Sequence, residues 1–194
     1  MASLGQWRTW WVKQRWYERN HRQRRRLRLN RHAAQGGFFI RYPIEGEVLE
    51  ALDSGRLEIG EGTLLEPGCW LTLSDDARIR IGEGCFLNKN TMLAALELIE
   101  IGDHVMFANN CFVGDSNHRY DDPTKPITWQ GFEPQGPVRI GSNCWFGVDC
   151  VVTGGVQIGD RCVIGANSVV TKDLPRGVIA AGVPAKVIRE IEFR

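Results

Sequence analysis

With 194 residues, of which 43% are hydrophobic and 24% charged, and a net charge of +1, the chain suits one domain with a buried core rather than a disordered tail. No run approaches the ~20 apolar residues a membrane-spanning helix needs, and no apolar signal region follows the N-terminus, so neither an integral nor a signal-exported protein is expected. The six cysteines include no CxxC pair, which points to reduced thiols in a cytoplasmic setting rather than to a disulfide framework or a zinc site.

The charge is unevenly spread. Residues 1–35 carry ten Arg/Lys against one acid, which leaves the rest of the chain at −8. The same segment, WRTWWVKQRWYERNHRQRRRLRLNRH, holds four of the seven tryptophans. On a helical projection Trp7, Trp10, Trp11, Tyr17 and His21 share one side, with arginines over much of the rest. Such a composition fits an interfacial helix held against an anionic membrane, and equally a helix packed on an oligomer with a solvated basic face. Nucleic-acid binding is disfavoured, because no recognition fold accompanies the charge. Residues 1–37 are therefore set apart as a basic, helical extension of a domain spanning 38–194.

From Ile59 the chain becomes periodic. IGEGTL (59–64), LEPGCW (65–70), IGEGCF (81–86), LNKNTM (87–92), IGDHVM (101–106) and FANNCF (107–112) share one register, and six consecutive hexapeptides restart at Ile140 with IGSNCW, FGVDCV, VTGGVQ and IGDRCV. A period of six scatters around a helix but fits a short extended stretch followed by a turn, the pattern of a parallel β-helix. The first position of one hexapeptide and the fifth of the preceding one lie two apart, so both point inward. All six cysteines, at 69, 85, 111, 144, 150 and 162, occupy fifth positions and are expected as core filler. The sixth position points outward and collects Trp70, Phe86, Met106, Phe112, Trp145 and Val163, among others; apolar residues in such regular succession predict a homo-oligomer.

The register breaks between Val113 and Ile140. The excursion, residues 114–137, reads GDSNHRYDDPTKPITWQGFEPQGP, polar and proline-rich yet carrying Trp129 and Phe132. Regular coils bury their own core, so an interruption this long suggests function. It contains His118; of the other histidines, His21 and His32 belong to the extension and His104 to a coil turn.

The NHRYDDP loop, the IGSNCWFG restart, the VIGANSVVTKDLP run and the closing AAGVPAKVIREI together resemble the hexapeptide-repeat acyltransferases of the left-handed parallel β-helix class, an all-β fold. Galactoside, maltose, streptogramin and bacterial polysaccharide O-acetyltransferases belong to that class, and the likeness covers roughly residues 59–190. It implies a homotrimer binding acetyl-CoA, or another acyl-CoA, as co-substrate between neighbouring subunits, with a carbohydrate acceptor and no metal. It implies that His118 is the general base, and the chemistry agrees: a sugar hydroxyl attacks a thioester well only as its proton leaves. Asp115, Asp121 or Asp122 would orient the imidazole, or a backbone carbonyl would do so. Asn88, Asp115 and Trp129 are the expected acceptor contacts. For the donor, Trp145 would flank the pantetheine arm and Gly147 offer a backbone N–H to the thioester oxyanion. Gly165 and Ala166 would keep the wall low, while Thr171, Lys172, Lys186 and Arg189 would meet the nucleotide and its phosphates. The chain departs from the galactoside pattern at Leu96, where an acceptor-binding aspartate is expected.

Other activities fit parts of the same pattern. NHRYD also resembles the xenobiotic acetyltransferases, and acetylation of a nucleotide-sugar amine is a further alternative. A zinc carbonic anhydrase on this solenoid needs three converging histidines, whereas only His104 and His118 lie outside the extension. A non-catalytic scaffold would use the solenoid for assembly alone.

Overall fold

The computed structural model describes residues 23–193; the tryptophan-rich part of the extension, with Trp7, Trp10, Trp11, Tyr17 and His21, lies outside them. The hexapeptides wind into a three-sided parallel β-solenoid of about six turns. Face A stacks β1 (Phe39–Ile40), β4 (Leu64–Leu65), β7 (Phe86–Leu87), β10 (Met106–Phe107), β15 (Trp145–Phe146), β18 (Val163–Ile164) and β20 (Val178–Gly182), closed by antiparallel β21 (Ala185–Glu190). Face B stacks β2 (Glu45–Gly46), β5 (Trp70–Leu73), β8 (Met92–Ala95), β11 (Phe112–Gly114), β16 (Val151–Val152) and β19 (Val169–Val170). Face C is built from β3 (Leu57–Ile59), β6 (Arg78–Ile81), β9 (Leu98–Ile101), β14 (Val138–Ile140) and β17 (Gln157–Ile158).

The inward positions form one continuous core. All six cysteines are free thiols with at most 1% exposure, and burial pushes the Cys69 thiol up to about 12. Phe107 and Phe146, on adjacent turns, stack with centroids 4.6 Å apart. At the corner between faces A and B the fourth hexapeptide residue is left-handed, with φ of 57–61° at Asn90, Asn110, Asp149 and Asn167. Asn and Asp tolerate that conformation better than other side chains. Here they also form a column, Asn90 to Asn110 and Asn110 to Asp149, each at 3.0 Å.

The three outer walls differ. In-register pairing lines up Phe39, Leu64, Phe86, Met106, Trp145 and Val163 along face A, and Trp70, Met92, Phe112, Val151 and Val169 along face B. Face C instead alternates Glu58, Arg80, Glu100 and Arg139, with Arg80 to Glu100 at 3.1 Å and Arg139 to Glu100 at 2.8 Å. Exposed pairs of this kind add little stability.

The coil starts about twenty residues before the first hexapeptide read from the sequence. Phe39 pairs with Leu64 and Glu45 with Trp70, so an extra turn forms from residues outside the repeat. Helix α1 (Gln23–Gly36) packs beside it through Arg25, Leu29 and Ala33, a buried stripe spaced by four residues. Arg25 pairs with Glu50, and Arg28 and His32 both reach Asp53, in the short helix α2 (Val48–Asp53) inserted between β2 and β3. Part of the basic extension is thus held against the chain's own acidic groups. Among the described residues no helix is long and apolar enough to cross a membrane.

Candidate active site

The coil is left at Gly114 and rejoined at Val138. Between them an antiparallel hairpin of β12 (Ser116–His118) and β13 (Phe132–Pro134) projects from the corner between faces B and C, pairing Ser116 with Pro134 and His118 with Phe132. Facing residues of such a pair share a side, and the His118 ring lies 4.3 Å from that of Phe132, tilted by 34°. His118 is exposed, and among the described residues none hydrogen-bonds its ring.

The hairpin tip is held by its own polar groups. Asp122 accepts from the Thr124 amide (3.0 Å) and hydroxyl (2.6 Å) and pairs with Lys125. Those hydrogen bonds bring its carboxyl down to about 2. The Gln130 side chain bridges the strands of the tip, accepting from the Asp122 amide and donating to the Asp122 and Lys125 carbonyls. Beside it Trp129 closes a one-turn 3-10 segment (Ile127–Trp129) and remains 59% exposed. It lines a hollow of about 280 Å³ with Arg119, Asp121 and Lys125.

None of the three expected aspartates contacts the His118 ring. Asp121 lies 3.7 Å from Arg119, and Asp122 is committed to the tip. Asp115 corrects the expectation of an acceptor contact: it is wholly buried, and its carboxylate accepts from the amides of Leu96 (2.6 Å), Glu97 (2.8 Å) and Leu98 (2.8 Å). Wholly buried, with three of its roughly four lone-pair sites filled by amides, this carboxylate presents no face to a ligand in solvent. What borders His118 instead is Phe132, whose significance the sequence did not signal. Phe132 also lines a cleft of about 210 Å³ with Thr72, Ala94, Leu96 and Ser116. The cleft exists because the outward column Thr72, Ala94, Gly114 is small beside its large neighbours Trp70, Met92 and Phe112.

Asn88 stands elsewhere. It is half-buried at the corner between faces A and B, where its side-chain oxygen accepts from the Lys89 amide at 2.9 Å. A four-residue strand of face B, roughly 13 Å long, separates that corner from the one bearing the hairpin.

The expected donor residues divide in the same way. Trp145 projects from face A with 51% exposure. Lys186 and Arg189 are an odd number of residues apart and would alternate in a regular strand. A bulge at Ile188 pairs Arg189 with Ile179 and Lys186 with Ala181, and Ile179 is in register with Val163 and Trp145. Both cations therefore share the outer side of face A with the tryptophan. Gly165 and Ala166 lie at the corner between faces A and B, as does Gly147. Gly147 corrects the expectation of an oxyanion donor: its N–H already donates to the Ile164 carbonyl at 2.8 Å. Its small size serves stacking, since a Cβ there would approach the Ala166 nitrogen to 2.6 Å. Thr171 and Lys172 are exposed just past β19, at the corner between faces B and C, on the hairpin's side of the coil. Among the described residues no three His, Cys, Asp or Glu side chains gather to hold a metal.

Comparison with known proteins matches residues 137–172 to the hexapeptide repeat of succinyl-transferase. The galactoside O-acetyltransferase of Escherichia coli is 36% identical over 154 residues, covering 79% of this chain and 73% of that protein. A probable acetyltransferase of Mycobacterium tuberculosis is 40% identical over 132 residues; the match covers 64% of this chain but only 44% of that longer protein. Among solved structures, a hexapeptide-repeat acetyltransferase from Vibrio cholerae, complexed with acetyl coenzyme A, is 28% identical with a TM-score of 0.64, covering 75% of this chain and 78% of its own. An N-acyltransferase from Bacillus cereus, at 20% identity and a TM-score of 0.69 over 84% of this chain and 89% of its own, shares the fold. Stacked hexapeptides, the histidine-bearing hairpin at one corner and a relative alike over most of both chains lead to one assignment: the chain belongs to the hexapeptide-repeat acetyltransferase family.

Proposed function

We propose that the protein transfers an acetyl group from acetyl-CoA to a hydroxyl of a sugar or polysaccharide precursor, with His118 as general base, in a homotrimer whose sites lie between neighbouring chains. The observation that carries this reading is the division of the candidate residues. Trp145, Lys186, Arg189 and Asn88 belong to face A and its corner with face B, whereas His118, Trp129, Thr171 and Lys172 belong to the corner between faces B and C. A groove between two chains unites one set with the other. The apolar outer columns of faces A and B and the charged wall of face C fit the same arrangement, with face C turned to water.

In that groove the exposed His118 imidazole takes the proton of the acceptor hydroxyl as its oxygen bonds to the thioester carbon. The C–S bond then breaks, and the imidazolium returns the proton to the departing coenzyme A sulfur. Direct transfer is in keeping with the core, because all six cysteines face inward and none reaches the groove as an acyl carrier. Lys186 and Arg189 place two cations where the donor's phosphates would lie, on a domain that is otherwise acidic. Trp145 offers a flat apolar edge for the pantetheine arm. Leu96 in the cleft beside Phe132 favours an acceptor other than the one the galactoside enzyme acts on.

A thiol-release assay tests the reading, with neutral sugars and oligosaccharides set against antibiotics and nucleotide amino sugars. Turnover with the first group supports it; turnover confined to either of the others redirects it. Sedimentation giving a stable monomer that turns over at full rate overturns the shared site.

A further inference from the structure

The hairpin bearing His118 shares no hydrophobic core with the solenoid: of its residues from Asn117 to Gln135 none is buried. Yet a general base must be held to within a fraction of an ångström of its proton. What holds it is the neck, where the chain leaves and rejoins the coil. There Asp115 works in two directions. Its carbonyl accepts from the Gln135 amide at 2.8 Å and so closes the neck. Its carboxylate takes the amides of Leu96, Glu97 and Leu98, three successive donors on the turn beneath. From above, Gly154 presses on the same point: a Cβ there would come within 2.4 Å of the Gln135 Cβ and 2.9 Å of the Asp115 carbonyl oxygen.

We propose that Asp115 is a positioning residue for the His118 base. It locks the neck of the hairpin to the coil corner at residues 96–98, so that the direction in which the hairpin projects is set by the rigid stack and not by contacts of the hairpin itself. The proposal rests on the reading of His118 as base. Asp115 is three residues from His118 along the hairpin and makes no contact with its ring, so it acts through geometry and not as a charge partner. The three amides explain why the residue is an aspartate. Two carboxylate oxygens accept from all three N–H groups, whereas an asparagine turns one of those oxygens into a donor facing another donor. Gly154 completes the device, because any side chain there pushes the neck off the corner.

The test compares the parent with Asp115→Ala, Asp115→Asn and Gly154→Ala in the full-length protein, at a temperature where each is folded. A displacement of about 1 Å is expected to lower kcat about 10- to 100-fold in Asp115→Ala, with a smaller loss in Asp115→Asn. KM for acetyl-CoA is expected to stay unchanged, since Trp145, Lys186 and Arg189 lie on face A, and Thr171 and Lys172 follow β19 on the coil itself and not on the hairpin. Hydrogen exchange should speed up in amides 116–134 while those of 138–158 keep their protection. Should Asp115→Ala fail to fold, Gly154→Ala carries the test, because it leaves the carboxylate in place and its backbone is not left-handed. Unchanged kcat with an unchanged hairpin exchange rate in a folded variant overturns the proposal. So does a rise in KM for acetyl-CoA in proportion to the loss in kcat, which would report general loosening of the coil. His118→Ala is measured alongside: full activity there refutes the base assignment while leaving the exchange result to judge the neck.

Discussion

Replacing His118 with alanine separates chemistry from folding unusually well in this chain. The ring is exposed and, among the described residues, its aromatic contact is the tilted stack on Phe132, so its loss removes at most an aromatic pair, about 0.5–1.5 kcal/mol, from a hairpin outside the core. The melting temperature should therefore hardly move. Loss of a general base lowers turnover by about 10² to 10⁴, equivalent to about 3–5 kcal/mol in the barrier. Release of coenzyme A can be followed with a chromogenic disulfide, and the assay background should be low because the protein's own six thiols are buried. The expected result is a collapse of kcat with KM for acetyl-CoA retained, as for an interaction made in the transition state. Turnover that survives unchanged would refute the mechanism, and a rise in KM alone would move His118 to donor binding.

Charge reversal at the two face-A cations, Lys186→Glu and Arg189→Glu, should each raise KM for acetyl-CoA by about 10-fold or more while sparing kcat, at about 1.5–3 kcal/mol per charge-assisted contact. If only one of them matters, the bulge at Ile188 does not serve the donor. Phe107→Ala empties half of the stacked pair in the core and should cost about 3–5 kcal/mol of stability, read as a lower denaturant midpoint; a loss below ~1 kcal/mol would mean that the stack is not as closely packed as its 4.6 Å spacing indicates. The Asp122 clamp has a defined acid limit. Its folded carboxyl titrates at about 2, below the ~3.9 of an unfolded aspartate, so its support is fully present above the unfolded value and is lost as pH falls through about 2. Hydrogen exchange at the Thr124 amide, which Asp122 holds, should accordingly be slowed in the parent relative to Asp122→Asn at neutral pH, and the two should converge near pH 2.

The division between inside and outside was legible from the sequence, because in a six-residue coil it depends on strand alternation, which is local. Counting places every cysteine in the core and turns Trp70, Met106 and Trp145 outward, and the structure agrees on both; the coil itself runs through Gly114 and resumes at Val138. Tertiary structure decided what local pattern cannot carry. Asp115 looks like a free loop carboxylate until the turn beneath supplies the amides of residues 96–98. The Gly147 N–H looks available until Ile164, one turn away, is seen to accept it. The first turn of the coil, from Phe39, has no hexapeptide signature and takes its register from the strands it pairs with. Lys186 and Arg189 share a face only through a bulge set by pairing with β20. In each case the deciding partner lies on another turn or strand of the solenoid, and the hydrogen-bonded contact between stacked turns, not the hexapeptide itself, settles which polar groups remain free to act.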